Sequence, residues 1–502
     1  MTSNELKSSP RLKFINRRQM VLRSVDVEQL IAEDHPARAI WELVGRLNLD
    51  AFYAPIRSLE DSAGRSAFDP QLLICLWIYA YSRGIGSARE IARLCEMDSA
   101  FQWLTGLEGV NHHTLSDFRV DYSVALDDLF TQVLGLLSHE GLITLERVMQ
   151  DGTKIRAKAR ANSFAKEERI RQHLELARRQ VQEMGRPDQD PPAERRVQAH
   201  ARARRERIEK LERALEQVQK LRADKMEDKK GYEPKASITD PESRIMKTSE
   251  GGYVPGYNVQ ITTDAQFGLI ANVRVTQDMN DKHQLTAAVK DLQARWGRAP
   301  KQIIADGDFT TNLSVIQMAE QGIDFIGSWN PGPAGKKRTR PDWRGIHPEF
   351  QRDGFRYDAE QDRYVCPAGN LLVFGKANKL PHGGEDRFYK ARWADCGPCQ
   401  YRERCCPHYT SRGRIVAHRV EPAAVTAFKA KMATSEARQI YKQRSQIAEF
   451  PFAWIKEKLG LRRFHVQGLT KVGIETLWAC LTFNIQRWIC LKHALKPAAA
   501  LA

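Results

Sequence analysis

Apolar residues recur three and four apart in residues 27–47 (VEQLIAEDHPARAIWELVGRL) and again in 70–84 (PQLLICLWIYAYSRG). This is the spacing of one helix face, and it predicts an all-α region from Val27 to about Glu140. Residues 87–106 carry two short helical patterns around Met97, Asp98 and Ser99. NHHTLSDFR follows, with Thr114 or Ser116 as helix caps. The pattern fits a helix-turn-helix, and equally a small bundle that makes no DNA contact.

The rhythm then changes. LITLERVMQ is an apolar, β-branched run that stops at Asp151 and Gly152, residues that strand interiors disfavour, before a basic strand pattern resumes. Residues 164–228 return to helical spacing, rich in Arg, Glu, Gln and Ala and broken once by GRPDQDPPAE. They read as a long helical hairpin or coiled-coil arm with a solvated face. Residues 256–277 alternate as two strands about a turn at 264–268, followed by a helix (HQLTAAVKDLQARWG), a buried strand ending at Asp306, a second helix and a further strand. A mixed α/β sheet is the expected core. Residues 331–422 lose this order and become Gly-, Pro-, Arg- and Cys-rich, with the basic run GKKRTR at 335–340, and the chain from 423 to 495 is helical again.

Boundaries follow at 1–140 for the helical region, 141–330 for the first part of the core with a helical insertion at 164–235, 331–422 for the Cys-rich insertion, and 423–495 for the helical remainder. For 502 residues this agrees with a prior of two to four domains. Seventy-eight Lys plus Arg against 62 Asp plus Glu leave a net charge of +16, which suits a polyanionic partner, nucleic acid above all. The longest apolar run, residues 72–81, is half the roughly 20 residues that a membrane span needs. The first residues lack the apolar stretch of a secretory signal, so a cytoplasmic protein without membrane partners is expected.

Five of the nine cysteines crowd between Cys366 and Cys406. In a reducing compartment that asks for a structural Zn²⁺ held by Cys366, Cys396, Cys399 and Cys405, with Cys406 and His408 as substitutes. Free, partly buried thiols are the alternative. Asp151 and Asp306 end apolar runs of one predicted sheet, where neighbouring strands lie about 4.8 Å apart, so the two carboxylates can approach one Mg²⁺. Glu449 is the candidate third acid. Lys456, seven residues on, falls within roughly 20° of it on a helix, while Pro451 is expected to kink or restart that helix. The bland readings are a β-turn at Asp151–Gly152, a surface pair of Glu449 with Lys442 or Lys456, and a helix-start role for His283.

MQDGTKIRAKA, GYNVQ with NDKHQL, IIADGDF, and the series Tyr441, Arg444, Glu449, Lys456 together resemble the DDE transposases of bacterial insertion sequences, as does the N-terminal FDPQLLICLWIYAYSRGIGSAREIARLC with NHHTLSDFR. The resemblance implies an RNase H-like core with catalytic, Mg²⁺- or Mn²⁺-binding Asp151, Asp306 and Glu449. It also implies accessory Tyr441, Arg444 and Lys456 holding DNA or the site. Asp308 is a rival to Asp306, with a role as cap of the next helix or turn as its other reading. The implied activity is binding of terminal inverted repeats, followed by two-metal cleavage and strand transfer by a homo-oligomer on double-stranded transposon and target DNA. A decayed DNA-binding protein and a nuclease without strand transfer are the alternatives.

Overall fold

The computed structural model describes residues 17–20, 22, 24–57, 66–182, 191–223, 233–248, 251–329, 345–380, 383–408 and 411–499, without the side chains of 191–200 and 493–499. The basic run 335–340 and most of the Pro-rich turn lie outside the described residues.

Among the described residues, every regular element between Val27 and His139 is helical. The principal ones are α1 (Pro36–Val44), α2 (Pro70–Ser82), α3 (Ala88–Met97), α4 (Ser99–Thr105), α5 (His112–Asp121) and α6 (Ser123–His139). Asp98 caps α4 by accepting from the Ala100 and Phe101 amides. Asn111, one residue before the helix, caps α5 through the His113 amide at 2.8 Å, so neither Thr114 nor Ser116 is the cap. Asn wins because its carbonyl sits at the position from which a side chain reaches the second helical N–H.

The central sheet consists of β1 (Arg147–Arg156), β2 (Arg244–Lys247), β3 (Tyr253–Asp264), β4 (Ile270–Thr276), β5 (Gln302–Ala305) and β6 (Asp324–Gly327). Strand β3 runs antiparallel to β1, and β2 and β4 pair with successive parts of β3 on its other side. On the far side of β1, β5 and β6 are parallel to it. The parallel crossovers run through α9 (Gln284–Trp296), which precedes β5, and α10 (Asn312–Glu320), which joins β5 to β6. Between β1 and β2 the chain makes the helical hairpin, α7 (Glu167–Gln182) and α8 (Pro191–Ala223). It is zipped by Ile170, Leu174 and Ala177 against Leu211, Ala214 and Val218.

A second sheet follows, wholly antiparallel in chain order apart from one long connection. Its strands are β7 (Arg356–Asp358), β8 (Arg363–Val365), β9 (Leu371–Lys379), β10 (Glu385–Lys390) and β11 (Ile415–Val420). Four helices close the chain: α11 (Ala423–Met432), α12 (Ser435–Lys442), α13 (Arg444–Glu457) and α14 (Leu469–Ala499). Pro451 does not restart α13 as a second helix. It is buried within one continuous helix, where packing offsets the lost donor.

The N-terminal helices and the central sheet share one apolar core. Trp77, Phe118 and Phe130 belong to the same buried cluster as Tyr257, Ile303, Phe464 and Trp478. Helix α14 runs through this cluster, and its buried Asn484 exchanges two hydrogen bonds of 2.8 Å with the Ile270 backbone. Among the described residues no helix is long and apolar enough to cross a membrane.

Candidate active site

Strand β1 does not stop at Asp151. Its pairing with β3 continues through Asp151 opposite Ile261 and Gly152 opposite Gln260 to Arg156 opposite Gly256, which removes the β-turn reading. What ends there is the parallel pairing, whose last register pair is Gln150 with Ala305. Asp151 and Asp306 each stand one residue beyond that pair, on adjacent strands at the same level of the sheet. Successive side chains alternate faces, so both acids follow Met149 and Ile304 onto one face. That face is covered by α13, whose Ala448 packs with Met149, Ile304 and Ile326.

Helix α13 is tied to β1 at both ends. At its start Arg444 Nη1 lies 3.1 Å from Asp151 Oδ2, with the two side chains only 16% and 14% exposed. Past its end, the Phe464 amide donates to the Arg156 carbonyl at 2.9 Å. Lys456 Nζ donates to Thr153 Oγ1 at 2.5 Å, two residues along β1 from Asp151 and on the same face. Tyr441 packs beside this cluster, with the Arg444 guanidinium 5.9 Å from its ring centre. Four sequence candidates, Asp151, Asp306, Arg444 and Tyr441, are therefore gathered at one end of the sheet, with Lys456 close along the strand.

Glu449 sits on the same helix, five residues after Arg444, and is exposed. Among the described residues no three His, Cys, Asp or Glu side chains are grouped to hold a metal ion, so the structure does not bring Glu449 to the aspartate pair. Asp308 is exposed, and its amide donates to Asp306 Oδ1 at 2.9 Å. It does not cap the following helix: Thr311 does, in a reciprocal capping box with Ser314. His283 stands at the start of α9 without a side-chain capping bond.

Burial pushes the Asp151 carboxyl up to about 6; the Gly152 amide and Arg444 pull against it, while the charges of Asp306 and Asp281 add to it. Burial also raises Asp306, with Arg444 again opposing and Asp308 contributing. One guanidinium thus faces two partly desolvated carboxyls, which leaves the pair short of positive charge.

Sequence reasoning missed what stands behind the acids. On the opposite face of β1 and β3, Asp281 Oδ1 accepts from Asn258 at 2.7 Å and Gln260 at 2.6 Å, and Lys154 Nζ lies 3.0 Å from Oδ2. Gln150 extends this buried ladder to Gln260 and Thr262. Gly152 leaves room for this ladder: a Cβ would collide with the Gln260 amide and lie 2.9 Å from Asp281 Oδ1, so those bonded side-chain ends would have to shift. The signal was present in NDKHQL and GYNVQ as polar residues within strand-like or pre-helical segments, but their partners are distant in sequence.

The five clustered cysteines, Cys366, Cys396, Cys399, Cys405 and Cys406, line one small cavity beside the second sheet. His408 is not among the residues that line it and lies beside Gly345. The sulfurs border the cavity without forming a coordination shell.

The described residues thus join an N-terminal helical region to a mixed sheet whose acidic pair is met by Arg444 of α13. Residues 25–121 match the family described as Transposase domain (DUF772), and residues 365–489 match the Transposase DDE domain. The two matches indicate a DDE-type transposase of the insertion-sequence family. The second match takes in the cysteines, Tyr441, Arg444, Glu449 and Lys456, whereas Asp151 and Asp306 lie between the two matched segments. A search of curated proteins finds no match.

Proposed function

We propose that this transposase cuts and rejoins DNA at the terminal repeats of its own insertion sequence, using an RNase H-like core in which Asp151 and Asp306 are the central acids. The sheet supports the core assignment: antiparallel β4, β3 and β1 are followed by parallel β5 and β6. The observation that carries the reading is the register that sets Asp151 and Asp306 side by side under α13 with Arg444 as their shared cation. Two desolvated carboxylates with one guanidinium fit a divalent ion, since oxygen donors and excess negative charge are what Mg²⁺ or Mn²⁺ selects. When bound, such an ion supplies Lewis-acid charge at the phosphate under attack.

The protein's own residues have distinct tasks. Asp151 and Asp306 hold the ion, and the ladder behind β1 fixes the strand that presents Asp151. Arg444 balances the pair and, with Lys456, offsets phosphate charge as DNA enters. Glu449 is the third acid of the proposal, exposed on the helix that Arg444 anchors. The N-terminal helices recognise the repeats, and pairing of two transposon ends calls for a homo-oligomer on DNA.

The test is Mg²⁺-dependent nicking and joining of labelled DNA carrying the element's end, for the intact protein and for Asp151→Ala, Asp306→Ala, Asp308→Ala and Glu449→Ala. Loss of both steps in all but Asp308→Ala is the expected result. Retained nicking in Asp151→Ala or Asp306→Ala overturns the site, and binding without nicking by the intact chain makes it a DNA-binding protein only. Nicking that never proceeds to joining makes it a nuclease.

A further inference from the structure

The second sheet is poorly supplied with apolar core. Its buried cluster comprises Phe355, Tyr364, Leu372, Tyr389, Ala391 and Val416, and partly buried Cys366, Cys396 and Cys405 pack against it. A unit of this size with so few buried side chains ordinarily needs a staple, either a disulfide or a metal. All nine cysteines are free, which leaves the metal.

Three chain segments deliver sulfur to the same spot. Cys366 ends the β8 hairpin, where the Gly369 amide donates to its carbonyl at 2.8 Å and Gly369 takes a left-handed φ of 83°. Cys396 and Cys399 flank a Gly-Pro turn closed by the Cys399 amide on the Cys396 carbonyl. Cys405 and Cys406 end a single helical turn (Arg402–Cys405). The cavity between them measures about 20 Å³, room for one water-sized sphere or ion and nothing larger.

Two backbone amides already point at sulfur: Asn370 N–H donates to Cys366 Sγ at 3.3 Å, and Arg414 N–H donates to Cys396 Sγ at 3.4 Å. A neutral thiol is a weak acceptor, whereas a thiolate bound to a metal is a good one, so these bonds have the direction that a metal-bound sulfur needs. Arg402 and Arg414 also border the cavity. Four thiolates around one divalent ion retain two negative charges, which these two guanidiniums balance.

We infer that Cys366, Cys396, Cys399 and Cys405 bind one structural Zn²⁺, drawn into a tetrahedral shell, that staples the second sheet and takes no part in strand cleavage. Cys406 is 2% exposed and remains a packing residue. The donor set favours Zn²⁺ over Mg²⁺ or Ca²⁺, which take oxygen ligands.

The full-length protein, purified without chelator, is assayed for metal by elemental analysis. One zinc per chain is expected, released in step with thiol modification by an organomercurial and followed with a colorimetric zinc indicator, a readout that needs no variant. Cys399→Ser and Cys405→Ser should lose the zinc and expose residues 345–420 to limited proteolysis, while Cys406→Ser and Asp151→Ala should keep it. Less than a tenth of an equivalent of zinc, iron in its place, or full zinc in Cys399→Ser and Cys405→Ser overturns the inference. Because Asp151→Ala abolishes nicking and not zinc, failure here is distinguishable from failure of the carboxylate site.

Discussion

Replacing Asp151 by Asn should make the protein more stable at neutral pH while abolishing DNA cleavage. The carboxyl is 14% exposed and is moved from an ordinary 3.8 to about 6, chiefly by burial. At 1.36 kcal/mol per pKa unit, ionising it in the folded chain costs about 3 kcal/mol. The folded carboxyl holds its proton more tightly than the unfolded one. Its contribution to stability is therefore complete below about pH 4, falls away as the pH climbs to 6 and is absent above. Asn does not titrate, so the advantage of Asp151→Asn should be near zero at pH 4 and grow to about 3 kcal/mol at pH 7.5. The Arg444 attraction is already included in that net shift and takes nothing further from it. About 3 kcal/mol corresponds to roughly 6–12 °C in melting temperature for a unit of 150–250 residues. Thermal unfolding of both proteins from pH 4 to 8 in buffer without divalent ions gives the comparison. Parallel melting curves across that range, or a lower melting temperature for Asp151→Asn at pH 7.5, would refute the reasoning. Added Mg²⁺ should narrow the gap, because only the native carboxylate gains from it.

Other perturbations test neighbouring parts of the site. Arg444 holds both Asp151 and Asp306 below where burial alone would put them, so Arg444→Gln should shift the acid limb of the nicking rate to higher pH; an unchanged pH profile contradicts this. Gly152→Ala drives a methyl into the Gln260 amide and should cost about 1–3 kcal/mol, seen as a lower melting temperature. Removing one partner of the buried Lys154–Asp281 pair, as in Lys154→Met or Asp281→Leu, should cost about 3–5 kcal/mol. The double substitution should cost less than the sum of the two, and strict additivity in denaturation would show that the pair is not coupled.

Each acid closes a short apolar run, which makes the aspartate pair visible in the sequence, but what ends at their common level is the parallel pairing and not strand β1, which runs on to Arg156. The helix carrying Arg444 and Lys456 was legible too, from spacing alone. Its passage through Pro451 was not, because a proline's effect depends on what packs around it. The exposure of Glu449 depends on how α13 is rotated over the sheet, which a single helix pattern does not specify. Asp281 and Lys154 are 127 residues apart, and Asn258 and Gln260 look like ordinary polar strand residues until the register of β1 and β3 is known. Asn111, Thr114 and Ser116 are equally good caps by residue type, and only the position at which the helix starts separates them.

Asp151 and Arg444 are 293 residues apart in the chain. At about 5–20 residues per second, a ribosome that has just made β1 works for roughly 15–60 s before it supplies the guanidinium that meets the acid. Through that interval the strand has neither its cation nor the α13 cover over Met149 and Ile304, and the core still lacks α14. A message cut or stalled between residues 306 and 444 yields both aspartates without the guanidinium and helix that cover them. Under the proposed function, nicking competence therefore waits until α13 has been made.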